Sequence, residues 1–335
     1  LYNRAEIDKL FESIYDDFKN EGALSLWEQC KKEEIEYRQI LQINLAQEIN
    51  DIGLSVKQVE SKVKNIKDDL KERDKQILDK IKDIQKERTL LSNIYFKSCT
   101  DMSEIEEGKI HLIVTSPPYY SGKEYENMTF GEYEQLLKES MQECYRILCC
   151  GGRLCLNISD IPNKDNEGFY PIALTIFPMM QTIGFKAIDK IIWKKDDPWH
   201  SNPQVKLADQ QGKYRILPST EYIYIFKKEG EREIDNATIL QSSIKKEEWK
   251  QFVTGLWDIN SVKSNDEHPA MFPEEIPQQL IKMYSYVGDN VLDPFLGSST
   301  TIKACRELGR IGYGYEKNEK YREVIIQKLM TIQKG

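Results

Sequence analysis

Histidine and paired cysteine are scarce in this chain of 335 residues. It has three histidines and seven cysteines, with no C-x-x-C pair among them. A zinc centre needs closely spaced Cys and His ligands, so no metal is expected. The cysteines read instead as free thiols of a reducing cytoplasm. Long apolar runs are also missing. None approaches the roughly 18 residues of a membrane span, and no signal-peptide pattern opens the chain, so neither a membrane nor an export route is expected. Positive charge is in deficit, with 47 Lys and Arg against 55 Asp and Glu, a formal net charge of −8. The overall basic footprint common among nucleic-acid binders is therefore absent. The deficit is uneven, however: residues 1–53 carry 6 basic against 12 acidic side chains, and residues 54–95 carry 11 against 8. Whole-chain charge neither supports nor excludes a nucleic-acid partner.

Proline is absent before Pro117, and the only glycines in the first 95 residues are Gly22 and Gly53. Such a stretch reads as helices. Ile7, Leu10, Phe11, Ile14 and Phe18 recur at helical spacing. A second helix, from about Leu24 to Asn50, is expected to bury Trp27, Ile35, Ile40 and Leu41. In a third, Val56, Val59, Val63, Ile66, Leu70 and Ile77 follow a 3-4 rhythm that Arg73 interrupts and Ile81 and Ile84 continue. That is coiled-coil-like over about four to five heptads. Its lysines (Lys57, Lys62, Lys64, Lys67, Lys71 and Lys75) are either a solvated face or a track for DNA phosphates.

From Asn93 onward, strands and helices alternate. Ile110–Thr115 is a short apolar run of the kind that forms a buried parallel strand, and it stops in Ser116-Pro117-Pro118-Tyr119-Tyr120. Two successive prolines donate no N–H and fix two φ angles, so the strand ends in a rigid corner. Further strands are expected at Asn93–Lys97, Arg153–Ile158, Ala187–Trp193, Glu221–Lys227, Asn290–Phe295 and Arg310–Glu316. Lys194–Pro218 is a polar, aromatic, Pro- and Gly-broken loop of the kind that more often serves function than packing. Near the C-terminus, Asp293-Pro294-Phe295-Leu296-Gly297-Ser298-Ser299-Thr300-Thr301 reads as a strand-to-helix turn of small residues. Glu316 ends the next strand about 20 residues later, where a carboxylate can accept both hydroxyls of a ribose. A single glycine followed by two serines is not a G-x-G-x-x-G. A nucleoside ligand without a pyrophosphate, or a purely structural turn, are the two readings of that segment.

In combination the motifs resemble those of the β-group DNA amino-methyltransferases, which use S-adenosylmethionine (AdoMet). The segments that carry the resemblance are Leu112–Tyr119, His268-Pro269-Ala270-Met271-Phe272-Pro273, and Gly288–Phe295 running on through Gly297 to Thr301, with the catalytic motif ahead of the cofactor motif. It covers about residues 93–330. The resemblance implies an α/β fold: a Rossmann-like, mixed seven-stranded methyltransferase sheet with permuted motif order, preceded by an all-α, partly coiled-coil region. The expected division is 1–92 and 93–335, with a target-recognition loop at about 194–218. It implies AdoMet contacts at Thr115, Phe272, Asp293, Pro294, Phe295, Gly297, Ser298, Ser299, Thr300 and Glu316. Ser98 stands where the family often has an acid near the adenine, and Ser299 where it usually has glycine.

The chemistry then assigns Ser116, Pro117, Pro118 and Tyr119 to catalysis. The Ser116 hydroxyl and Pro117 carbonyl accept hydrogens from a base amino group, aiming its lone pair at the methyl carbon. Tyr119 stacks on the flipped base and returns about 1–3 kcal/mol of the few that flipping costs. Serine in the motif favours cytosine N4, with adenine N6 and a catalytically inactive DNA-binding or assembly subunit as the alternatives. Duplex DNA is the expected partner, approached by Lys123, Trp199, His200, Asn202, Lys206, Lys213 and Arg215. The N-terminal helices are assigned to a homodimer or another partner. A restriction-modification role and a cytoplasmic, nucleoid-associated location complete the expectations.

Overall fold

The computed structural model describes residues 23–52, 54–118, 129–162, 169–195, 219–261 and 273–332. The chain divides into two compact units, Leu1–Leu90 and Leu91–Gly335.

The first unit contains helices α1 (Ala23–Ile52) and α2 (Val56–Leu90). The amphipathic segment Ile7–Phe18 and the side chain of Trp27 lie outside the described residues. Ile40, expected inside, is 56% exposed, whereas Glu34, Arg38, Leu45 and Leu70 are buried. The reason is electrostatic. Glu34 accepts from Arg38 Nε and from Arg73 Nε, each at 2.8 Å, and Arg38 also pairs with Asp74. A buried charge is tolerable only when paired and hydrogen-bonded. The arginine that breaks the heptad rhythm therefore answers a carboxylate on the other helix. Lys62 pairs with Glu48, and Lys71 lies 3.7 Å from Asp68.

The second unit is built on an eight-stranded mixed sheet. Its strands are β1 (Ile94–Tyr95), β2 (Ile110–Thr115), β3 (Leu148–Ile158), β6 (Lys186–Lys194), β7 (Thr220–Lys227), β8 (Leu256–Asp258), β9 (Asn290–Asp293) and β10 (Ile311–Tyr315). A two-stranded ribbon, β4 (Ile161–Pro162) and β5 (Phe169–Tyr170), stands apart. The spatial order is β1-β10-β9-β2-β3-β7-β6-β8. The first five strands run parallel, β7 is antiparallel to both its neighbours, and β8 lies parallel to β6. The expected seven strands thus become eight, because Leu256–Asp258 adds to the edge of β6. Three residues are too few to show a period of two. Burial of Trp257, whose Nε1 donates to the Phe252 carbonyl at 3.0 Å, holds the strand there.

β2 is buried on both faces, which is why it reads as a continuous apolar run. Ile113 faces a core that includes Leu137 and Met141 of the helix Phe130–Ile147 and Ile176 of the helix Ile172–Ile183. Leu112 and Val114 face the opposite core, with Ile276 and Leu280 of the helix Glu275–Tyr284 and Ala304 of the helix Thr300–Glu307. The result is an α/β/α sandwich. The helix Phe130–Ile147 starts in a capping box between Thr129 and Glu132, so its N-terminus is fixed by its own sequence.

Candidate functional site

β2 leads through the helix Phe130–Ile147 to β3 on one side, and β9 leads through the helix Thr300–Glu307 to β10 on the other. The strand order therefore reverses between β2 and β9. In open α/β sheets, ligands bind at the carboxyl ends of the strands at such a point. The two strand ends touch there: Thr115 Oγ1 donates to Asp293 Oδ1 at 2.7 Å. Residues 178 positions apart in sequence become hydrogen-bonded neighbours.

Asp293 is 5% exposed. Its Oδ1 also accepts from the Phe295 N–H at 3.1 Å, and its Oδ2 accepts from Thr301 Oγ1 at 2.7 Å. Burial nonetheless pushes the carboxyl up to about 6, against the pull of the Thr301, Thr115 and Phe295 hydrogen bonds. No Lys, Arg or His among the described residues makes an ion pair with it. A buried carboxylate without a cation partner suits a ligand that brings positive charge.

Gly297 N–H donates to Glu316 Oε2 at 2.9 Å, and Asn318 N–H to Glu316 Oε1 at 2.8 Å. Glu316 thereby ties the turn to the end of β10. Ser299 adopts a left-handed conformation with φ 69° and caps no helix N–H. Its Oγ is buried and has no hydrogen-bond partner. This backbone conformation explains why glycine would suit the position. The orphan hydroxyl is a second group suited to a polar ligand. Pro294, Ser298 and Thr300 are buried, and Phe295 and Gly297 are half-buried. Lys328 braces the turn from behind, donating to Thr300 Oγ1 at 2.6 Å and Ser298 Oγ at 3.1 Å. Ser98 follows β1 on the same side of the sheet and bonds Thr100 Oγ1 at 3.0 Å.

At the Pro-Pro corner, Ser116 and Pro118 are half-buried and Pro117 is buried. Asn157 Nδ2 approaches Ser116 Oγ at 3.4 Å and donates to Glu221 Oε2 at 2.5 Å. Lys195 pairs with the other oxygen of Glu221. The structure thus brings Ser116, Thr115, Asp293 and the Gly297–Thr300 turn to one edge of the sheet. Tyr119, Phe272, Lys123, Trp199, His200, Asn202, Lys206, Lys213 and Arg215 lie outside the described residues. Sequence reasoning gave no role to Asn157, Glu221, Lys195 or Lys328. The available signal was a polar residue bordering the apolar run of each strand, Asn157 after Leu154-Cys155-Leu156 and Glu221 ahead of Tyr222-Ile223-Tyr224-Ile225-Phe226. Among the described residues no cluster of His, Cys, Asp and Glu could hold a metal.

Over residues 110–328 the chain matches the DNA methylase family. The Type II methyltransferase M.MjaI of Methanocaldococcus jannaschii is 34% identical over 284 residues, covering 72% of this chain and 92% of the relative. M.BglI of Bacillus subtilis, also a Type II methyltransferase, is 31% identical over 296 residues, covering 68% and 82%. Among solved structures, a Thermus thermophilus protein named as a DNA modification methylase, complexed with S-adenosyl-L-methionine, aligns with a TM-score of 0.60 at 26% identity, over 71% of this chain and 92% of its own. The PvuII cytosine-N4-specific DNA methyltransferase aligns with a TM-score of 0.54 at 21% identity over 71% and 90%, a likeness of fold alone.

Proposed function

The chain belongs to the DNA methylase family, and from that premise we propose a specific reaction: transfer of a methyl group from AdoMet to the exocyclic N4 of cytosine in duplex DNA. The observation that supports methyl transfer here is the Thr115–Asp293 hydrogen bond, which joins the Pro-Pro corner to the cofactor turn at the switch point of the sheet, and the serine at position 116 is what favours cytosine. When bound, AdoMet supplies an electrophilic methyl group on a positively charged sulfur. The carboxylate of Asp293, which has no cation partner among the described residues, and the orphan hydroxyl of Ser299 fit such a ligand. Asp293, Pro294 and Phe295 would line its methionine part and Glu316 would take the ribose hydroxyls. Ser98 would lie toward the adenine, with Phe272 packed on the ligand. The backbone of Gly297, Ser298 and Thr300 would close around it.

At the corner, the Ser116 hydroxyl and the Pro117 carbonyl accept the two hydrogens of the base amino group. Pro118 keeps that pair of acceptors rigid, and Tyr119 stacks on the extruded base. An aromatic amine is a poor nucleophile because its lone pair is delocalised into the ring. Two acceptors draw the nitrogen toward sp³ and aim the lone pair. Serine is no base at neutral pH, so the proton leaves to water.

Residues 194–218 read base edges, through Trp199, His200, Asn202, Lys206, Lys213 and Arg215, and Lys123 approaches from the segment after the corner. The helices of residues 1–92 serve as a dimer contact or a DNA clamp, and residues 93–335 form the catalytic domain. The enzyme works in the cytoplasm as the modification arm of a restriction-modification pair, in keeping with its Type II relatives.

Mass spectrometry of nucleosides tests the reading after the protein is incubated with unmethylated DNA and AdoMet. N4-methylcytosine is the expected product. N6-methyladenine would overturn the choice of base. Failure to bind AdoMet or to methylate any DNA would leave a DNA-binding or assembly subunit.

A further inference from the structure

We infer that Glu221 is a positioning residue for Ser116, acting through the Asn157 amide. The inference rests on the proposed methyl transfer and deepens the account of that same site.

Three strands meet here in register. Thr115 of β2 pairs with Leu156 of β3, so the next residues, Ser116 and Asn157, stand side by side where the two parallel strands end. Asn157 faces Ile223 across the antiparallel β3–β7 ladder, and Glu221 is the diagonal neighbour two residues along. Side chains so related share one face and reach each other. Asn157 is 2% exposed and Glu221 4% exposed, so water does not screen the contact.

The chemistry of the three groups sets a direction. A carboxylate can only accept, so the Asn157 NH2 end must turn toward Glu221. The short 2.5 Å contact is a charge-assisted hydrogen bond and fixes the amide against rotation. The second Nδ2 hydrogen is then the one that faces Ser116 Oγ, 3.4 Å away. Ser116 is thereby presented to the amide as an acceptor. Without Glu221 the amide can flip and offer its oxygen, and the serine hydroxyl would rotate to donate to it. A serine that donates at the corner is no longer held as an acceptor for an amino hydrogen.

Lys195 pairs with Glu221 and compensates its buried charge, and the Lys195 N–H bonds the Ser219 carbonyl at 2.9 Å. The strand ends on either side of residues 196–218 are therefore joined to the same network. Glu221 and Asn157 touch neither the base nor the donor in this account, so they act on the rate of transfer rather than on ligand affinity.

The test is steady-state methylation by Glu221→Gln, Asn157→Ala and the double variant, with AdoMet affinity by calorimetry and folding by circular dichroism. Glu221→Gln should lower kcat about tenfold or more, the scale of a misplaced catalytic group, with KM for DNA and AdoMet affinity within about twofold. The double variant should be no slower than Asn157→Ala alone, because one residue acts through the other. Wild-type kcat in a folded Glu221→Gln protein, or losses that multiply in the double variant, would overturn the inference and leave the methyltransferase reading intact. Should Glu221→Gln fail to fold, Asn157→Ala decides the matter: a selective loss of kcat supports it, and an unchanged kcat refutes it. A wild-type protein that methylates no DNA removes both the reading and the inference.

Discussion

Replacing Asp293 by Asn should make the ligand-free protein more stable at pH 8 and take that advantage away by pH 4. The carboxyl sits at about 6 in the folded chain against an ordinary 3.8, with burial as the main cause. At about 1.4 kcal/mol per pH unit, the gap corresponds to about 3 kcal/mol. The sign follows from proton affinity. The folded state binds the proton more tightly than the unfolded state does. This contribution is therefore fully present below pH 3.8 and is lost as pH rises through about 6. Asn is a permanently neutral stand-in for the protonated acid. It keeps an acceptor for Thr115 and Phe295 but turns an NH2 group toward Thr301 Oγ1, a misfit of about 1 kcal/mol. The variant should thus lead by about 2 kcal/mol at pH 8 and have no lead at pH 4. Urea denaturation of both proteins at several pH values measures the difference, in which the other titrating groups cancel. Parallel stability curves across that range would refute the assignment of a buried charge without a cation partner to Asp293. The same charge should make AdoMet binding weaken in acid. The transition falls below 6, because a bound cation lowers the carboxyl again.

Other expectations are simpler. Ser299→Gly should raise stability by about 1 kcal/mol in thermal denaturation, because glycine relieves the left-handed φ of 69° and removes an orphan buried hydroxyl; an unchanged or lower Tm would contradict this. Tyr119→Ala should abolish methylation while calorimetry still shows AdoMet binding, whereas retained turnover would remove the stacking role. Arg38→Ala leaves Glu34 buried beside Arg73 alone and should cost about 3 kcal/mol in chemical denaturation of the full chain. Deleting residues 1–92 should lower either the number of subunits found by sedimentation or the DNA affinity, and a change in neither would discard both the dimer and the clamp.

Local pattern made several features legible. β2 announced itself as an apolar run because both its faces are buried, and the prolines of Pro117-Pro118 marked its end because they cannot extend a ladder. The three-residue strand Leu256–Asp258 was invisible, since its place depends on the edge of β6. Ile40 was misread because periodicity counts apolar residues, and it could not foresee that Glu34, Arg38 and Arg73 would take the interior as a compensated set.

The sequence by itself determined the alternation of strands and helices, the rigid corner after Thr115, the small-residue turn after Asp293 and the acid at Glu316. These are consequences of backbone sterics, side-chain period and hydrogen-bonding capacity over a few residues. Only the tertiary structure decided which of them share a site. The reversal of strand order between β2 and β9 closes the 178-residue separation between Thr115 and Asp293 to a hydrogen bond, and the β3–β7 ladder aims Glu221 at Asn157. Such pairings depend on sheet order and register, which long-range burial fixes and no local pattern encodes.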